Sequence, residues 1–365
     1  SFSSQTNTWT LDTEHRQPNN DEVFDDELAA GSVSMEAFTC SFMFNCTGYY
    51  NYDAGYTPDF PGMERFSGQV VHPQKWPEDL DYSNKKVVII GSGATAVTLL
   101  PAMADRTKHI TMLQRSPTYI ASVPLVDPVA TFLHSIPFLP TSCAHFLIRW
   151  KNILGTMLLF WQAKTYPLLT KKYLRKEIKR YLGEDTDCDV NKHFTPAYDP
   201  WDQRLCAVPD NDFFKAIKDK KASVVTDHID TITETGIRLK DCGTELPADI
   251  IITATGLTLQ LFGGVSMFID GKPMDMTNTR VYKGVMLSNI PNAAMSVGYT
   301  NATWTLKCDL TCEYVCKVLQ YMDRHHYKRC VPHLSVEDNA TQPTEPLLNL
   351  NSSYITRSVA AFPKQ

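Results

Sequence analysis

Val87–Val97 reads VVIIGSGATAV, and the rest of the chain is best understood outward from it. Four β-branched residues in succession, Val87–Ile90, fit a strand buried on both faces of a parallel sheet. Gly91-Ser92-Gly93 then reads as a tight turn, and Thr95–Ala104 as a helix. Gly91, Gly93 and Ala96 occupy the three positions of G-x-G-x-x-A. The first glycine permits the turn, the second lets backbone approach a pyrophosphate, and the alanine lets helix and strand pack closely. The start of the helix offers N–H groups and partial positive charge to phosphates. Gly91, Ser92, Gly93, Ala94, Thr95 and Ala96 are therefore candidate cofactor-binding residues. A tight turn with no ligand is the competing reading.

The next strand, His109–Leu113, completes a strand–turn–helix–strand unit, and its end selects the cofactor. A site for NAD places Asp or Glu there to accept from the ribose 2′-hydroxyl. Gln114-Arg115-Ser116 stands there instead. Arg115 offers a forked cation and Ser116 a hydroxyl, which suits a 2′-phosphate and points to NADP. Arg115 as a plain surface residue at a strand end is the alternative.

The 365 residues allow roughly two domains, or three small ones. With 43% hydrophobic and 21% charged residues, the composition excludes disorder, collagen and coiled coil. The net charge of −5 gives no footprint for nucleic acid. The ten cysteines show no C-x-x-C and no framework spacing, which fits a reducing, cytoplasmic setting. Cys308, Cys312 and Cys316 fall on one stripe of a helix predicted from Cys308 to about Arg324, where buried small residues are favoured over a metal cluster. No metal site is expected.

Phe38–Cys46 alternates like a strand, and Tyr49–Gly62 reads as a connector dense in turn residues. Short β signals recur at Ser223–Thr226, Ile229–Thr233, Ile237–Leu239 and Asp249–Thr253, the last ending in Thr255-Gly256. Between them Tyr119–Asn191 is helical, aromatic and sprinkled with proline. Its greasiest run, Asn152–Ala163, has 12 residues, short of the roughly 20 that span a bilayer. A buried or interfacial helix is expected there. Lys171–Leu182 is amphipathic and basic. A solvated helix packed on its own domain is favoured over one lying on a membrane surface.

Upstream of the loop stands Phe66-Ser-Gly68-Gln-Val-Val-His72-Pro-Gln-Lys-Trp76-Pro77. This F-x-G-x-x-x-H-x-x-x-W-P run resembles the fingerprint of Baeyer–Villiger monooxygenases within the class B flavoprotein monooxygenases. Gly55–Gly62, Val71–Tyr82, Val88–Pro101, Met112–Tyr119, Pro200–Asp210, Asp249–Gly256 and Gly298–Lys307 look like the same family, so the resemblance covers nearly the whole chain.

The resemblance implies an α/β fold of two dinucleotide-binding, Rossmann-like domains, the NADP domain being inserted in the FAD domain. On that basis residues 1–62 are a remnant of the FAD domain. Residues 63–255 are the NADP domain, with a helical insertion at about 120–192, and 256–365 return to the FAD domain. Thr255 and Gly256 mark one strand end where the chain crosses between domains. The implied cofactors are FAD and NADP, and the partners are O2 and a small-molecule ketone, sulfide, thioamide or amine, oxygenated by a peroxyflavin. Arg204 matches the catalytic arginine, a fixed cation for charge that develops during reaction. A structural ion pair of Arg204 with Asp202 or another carboxylate is the alternative. His72 is implied to position domains rather than to transfer protons.

Relatives in this family open with a separate G-x-G-x-x-G loop for FAD, and no such loop occurs here. With Ser1 in place of Met, the expectation is an N-terminally incomplete chain. A catalytically inactive module that binds NADP alone is the second reading.

Overall fold

The computed structural model describes residues 1–16, 33–184, 186–203, 205–299, 303–335, 343–348 and 351–365. The chain divides into two compact units. One comprises Ser1–Asn51, Leu259–Asn349 and Ile355–Gln365; the other comprises Tyr52–Thr258 and Leu350–Tyr354. The second is inserted in the sequence of the first.

The inserted unit is built on a five-stranded, all-parallel sheet. Its strands lie in the order Ala222–Thr226, His109–Gln114, Lys86–Ile90, Ile250–Thr253, Gln69–Val71. Val87 sits opposite Ile110 and Ile250, and Ile89 opposite Met112 and Ile252. Alternate residues of each strand point to opposite faces. Val87, Ile89, Ile110, Met112, Ile250 and Ile252 thus pack on Ala96, Val97 and Leu100 of the Ala94–Ala104 helix and on Phe213 and Phe214. Val88, Ile90, Leu113 and Ile251 pack on the other face against Ile232, Ile237 and Leu239. Those three come from a small antiparallel sheet, Ile229–Ile232, Gly236–Leu239 and Glu245–Pro247. Two layers therefore enclose the central strands, one on each face, which is why their sequence is an unbroken apolar run.

Within this unit the helical segment lies between two short strands that pair in parallel, Ile120–Val123 and Cys206–Pro209. It comprises helices Pro128–His134, Thr141–Thr165 and Pro167–Leu182. Asp127 caps the first by accepting from the N–H groups of Val129 and Ala130. The last buries Thr170, Leu174, Ile178 and Leu182 and keeps its charged face in solvent. Tyr173, whose spacing groups it with that apolar side, stands exposed.

In the other unit a sheet runs Lys272–Pro273, Phe268–Ile269, Phe2–Ser3, Thr8–Arg16, Val33–Cys40. Phe2 and Trp9 are buried with ring centroids 5.3 Å apart. The strand expected over Phe38–Cys46 is in fact two: Val33–Cys40 ends the first sheet, and Met43–Asn45 pairs in parallel with Ala293–Met295. A bend at Ser41-Phe42 lets one stretch of chain serve two sheets. The helix expected from Cys308 begins at Trp304 and ends at Arg324. Its buried residues are Thr311, Val315 and Met322, while Cys312 and Cys316 are exposed and Cys308 half-buried. The expectation of a buried cysteine stripe is thereby corrected: the helix turns the other edge of that face inward. Among the described residues no helix is long and apolar enough to cross a membrane.

Candidate functional site

The register of the parallel sheet sets Ile90 beside Thr253. The two segments that follow these strands, Gly91–Ala96 and Ala254–Gly256, therefore emerge side by side. Gly91 has φ 129° and donates its N–H to the Leu113 carbonyl at 2.8 Å. A Cβ at this position would stand 2.3 Å from the Ala254 carbonyl oxygen, so only glycine fits. Gly93 differs: its φ of −75° and ψ of 179° suit any residue, and a Cβ there would meet nothing within 4 Å. Its glycine leaves open space beside the helix start.

The Ala94–Ala104 helix has no side-chain cap, and its first i→i−4 bond runs from the Val97 N–H to Gly93. The N–H groups of Ala94, Thr95 and Ala96 precede that bond, so the helix start presents donors to a ligand. Ala94 and Thr95 are exposed, and Ala96 is buried against the sheet. Ser92 Oγ donates to the Ser116 carbonyl at 3.4 Å, tying the loop to the end of the neighbouring strand. Arg115 and Ser116 are both exposed there. Their position at the strand end, one strand over from the loop, is what recognition of a ribose substituent requires.

A cavity of about 210 Å³ adjoins the loop and is lined by His72, Pro73, Gln74, Thr95, Ala254, Gly256 and Leu257. Thr255 Oγ1 donates to the Tyr56 carbonyl at 2.6 Å, and the Tyr56 N–H returns a bond to the Gly256 carbonyl at 3.1 Å. His72 Nδ1 accepts from the Gln74 N–H at 3.2 Å. A neutral imidazole so held carries its proton on Nε2. Nε2 is buried and has no partner among the described residues. The ring lies against Gly55, where a Cβ would stand 1.9 Å from Cε1.

The other members of the Phe66–Pro77 run have structural work of their own. Gly68 lies so close to the Phe66 ring and the Asp249 carbonyl that a Cβ would come within 2.6 Å and 2.3 Å of them. Phe66 packs against the core on one face of the parallel sheet, and Trp76 against the core on the other. Pro77 is half-buried beside Trp76. The motif thus threads the edge strand Gln69–Val71 between two aromatic anchors and delivers His72 to the cavity.

Arg204 lies outside the described residues. Its sequence neighbour Asp202 takes Lys164 at 2.7 Å, and this ammonium holds the Asp202 carboxyl below the usual carboxylate range. Gly55, Tyr56 and Gln74 belong to the same neighbourhood, and no local pattern marks them as site residues. A glycine that meets a ring across the fold carries no spacing signal in the sequence around it.

Residues 2–320 match the family model described as flavin-binding monooxygenase-like. The FAD-containing monooxygenase EthA of Mycobacterium tuberculosis is 52% identical over 336 residues, covering 91% of this chain and 66% of that protein. The probable FAD-binding monooxygenase AlmA of Acinetobacter baylyi is 47% identical over 342 residues, 93% of this chain and 67% of its own length. The chain thus spans just under two thirds of the EthA it matches. Among solved structures, oxidized steroid monooxygenase bound to NADP has TM-score 0.63 at 20% identity, over 89% of this chain and 71% of that one. An open form of cyclohexanone monooxygenase has TM-score 0.62 at 18% identity, over 84% and 68%. These last two establish the shared α/β fold of two dinucleotide-binding domains. On the extent of the family match and the identity to its curated members, the chain belongs to the flavin-binding monooxygenase-like family.

Proposed function

We propose that this chain supplies the NADP site, and part of the FAD-binding domain, of an NADPH- and FAD-dependent monooxygenase of the Baeyer–Villiger type. The substrates are O2 and a small molecule with a ketone carbonyl or an oxidisable sulfur or nitrogen. The observation that carries the reading is the loop at Gly91–Ala96. A glycine that no other residue could replace shapes the turn, and a second glycine leaves open space before an uncapped helix start.

NADP fits these residues. The pyrophosphate would lie against the N–H groups of Ala94, Thr95 and Ala96, with Ser92 and Gly93 beside it. Arg115 and Ser116 would take the 2′-phosphate. Gly256 borders the cavity beside the loop with Thr255 next to it in sequence, and the buried Nε2–H of His72, which has no partner among the described residues, is a donor for the ligand. When bound, NADPH supplies hydride and FAD the oxygen-activating chemistry. The one phosphate-loop motif in the sequence is the loop assigned to NADP, and these residues hold no second such loop for FAD. Arg204 is proposed as the fixed cation that stabilises developing negative charge. Phe66, Gly68, Trp76 and Pro77 hold His72 in place.

Calorimetric titration with NADP⁺ and NAD⁺ tests the proposal. NADP⁺ should bind more tightly, and Arg115→Ala should weaken NADP⁺ about 10- to 100-fold, the worth of one or two charge-assisted hydrogen bonds, with NAD⁺ unchanged. Equal affinity for both nucleotides in the parent chain overturns the NADP assignment. Purified protein that releases FAD on denaturation and consumes O2 with NADPH supports the full activity. Colourless protein that still binds NADP⁺ supports the module that binds NADP alone.

A further inference from the structure

The Thr141–Thr165 helix has 25 residues, of which only Ala144 and Ala163 are buried. Phe146, Trp150, Leu154, Met157, Leu158 and Trp161 all stand exposed along it, Met157 at 64% and Leu158 at 61%. Of the 31 large apolar side chains exposed among the described residues, 19 fall between Val123 and Tyr173. Scattered exposed apolar residues are normal, but a run this dense marks a surface that meets something apolar.

Charge says what that something is. Residues 120–182 hold nine Lys or Arg and two acidic residues, in a chain whose net charge is −5. Lys151 pairs with Asp127, Lys164 with Asp202, Lys171 with Asp199 and Arg180 with Glu177. Lys172, Lys176 and Lys179 are exposed and make no ion pair among the described residues. On the Pro167–Leu182 helix the buried residues Thr170, Leu174, Ile178 and Leu182 fix the inward face. Leu169, Lys172, Lys176 and Lys179, spaced three, four and three residues apart, then form the outward line. This helix packs beside Thr141–Thr165. An apolar rod and a cationic face therefore adjoin, with Trp150, Trp161, Tyr166 and Tyr173 exposed among them. Aromatic rings with one polar edge favour the boundary between headgroup and hydrocarbon.

We propose that the 120–182 segment docks on the surface of an anionic phospholipid bilayer. The apolar side chains of Thr141–Thr165 enter the headgroup boundary, and Lys172, Lys176 and Lys179 lie over the phosphates. The contact is interfacial, since no described helix is long and apolar enough to span. A second copy of the chain is the disfavoured occupant, because a two-fold interface would set this cationic segment against itself.

Flotation with vesicles of phosphatidylcholine, alone or mixed with phosphatidylglycerol, tests this. Binding should be confined to, or at least about tenfold stronger on, the mixed vesicles, and should weaken with salt. The Lys172→Glu, Lys176→Glu, Lys179→Glu triple variant should lose affinity by about fivefold or more per charge. Leu158→Glu with Met157→Glu should abolish binding while leaving circular dichroism and melting unchanged, since both side chains are exposed. Bromine-labelled lipid should quench tryptophan fluorescence, and the quenching should disappear in Trp150→Phe with Trp161→Phe. Absence of flotation on mixed vesicles at low salt overturns the proposal. So does a concentration-dependent dimer, seen by sedimentation velocity, that the Met157 and Leu158 variants dissolve while vesicle binding is absent.

Discussion

The Lys86–Ile90 strand and the Thr141–Thr165 helix are both apolar stretches of the inserted unit, and they meet opposite fates. Val87, Val88, Ile89 and Ile90 are buried on two faces by a helix layer and an antiparallel sheet. The helix buries two alanines and exposes tryptophan, leucine and methionine. Hydrophobicity therefore does not by itself locate a residue in a core. What decides is whether the topology supplies neighbours on each side, and the strand has them because two segments far apart in sequence, His109–Gln114 and Ile250–Thr253, pair beside it in a sheet covered on both faces.

The largest effect is expected in the core. Leu100 is fully buried where the Ala94–Ala104 helix meets the sheet. Leu100→Ala should cost about 3 kcal/mol by urea unfolding, the usual penalty for a core cavity. A value below about 1 kcal/mol would show that this core is loosely packed.

Gly91→Ala comes next. With φ 129° and 2.3 Å to the Ala254 oxygen, the variant should lose about 2 kcal/mol of stability together with NADP⁺ binding. Gly93→Ala sharpens the point, because its backbone and surroundings accept a methyl group. Melting should stay within a degree or two of the parent, and NADP⁺ affinity should fall about tenfold as the methyl intrudes on the pyrophosphate. Unchanged affinity there would place the phosphates elsewhere.

Asp227 offers a pH test within the inserted unit. Burial raises its carboxyl's pKa, but the Asp241 N–H, the Cys242 side chain and the N–H groups of His228 and Cys242 more than offset this, and the net shift is downward. A depressed folded value means stability that is present above the unfolded pKa of about 3.9 and lost as pH falls through the folded one. Unfolding midpoints of the parent should therefore drop below about pH 4 relative to Asp227→Asn, with a constant gap above about pH 5. Parallel profiles would show that the donors around Asp227 do not favour the charged form.

The smallest effect belongs to the exposed helix. Leu158→Ala should change stability in solution by no more than about 0.5 kcal/mol. A loss of 2 kcal/mol would mean that the helix packs against something in solution.

Much of the inserted unit was legible because its signals are local. Strand, glycine turn and helix follow one another within Val87–Ala104, and the motif at Phe66–Pro77 carries five fixed residue types over 12 positions. The strands at Ala222–Thr226 and Ile250–Thr253 were legible from β-branched runs. What escaped was set by distance. Gly55 is needed because the His72 ring occupies its Cβ position, and nothing near Gly55 in sequence announces this. The Cys308–Cys316 stripe has helical spacing, but spacing does not say which way a helix rolls onto its neighbours.

Local sequence alone specifies the turn at Gly91–Ala96, the alternation of strand and helix, and the Arg115-Ser116 pair behind the NADP expectation. Each is a property of backbone geometry or side-chain chemistry within a few residues. Packing across the fold makes glycine obligatory at Gly91 through Ala254 and, among the described residues, leaves His72 Nε2 without a partner beside the loop and Thr141–Thr165 uncovered. Those depend on which segments become neighbours across a sheet, and that is fixed by packing of residues far apart in the chain.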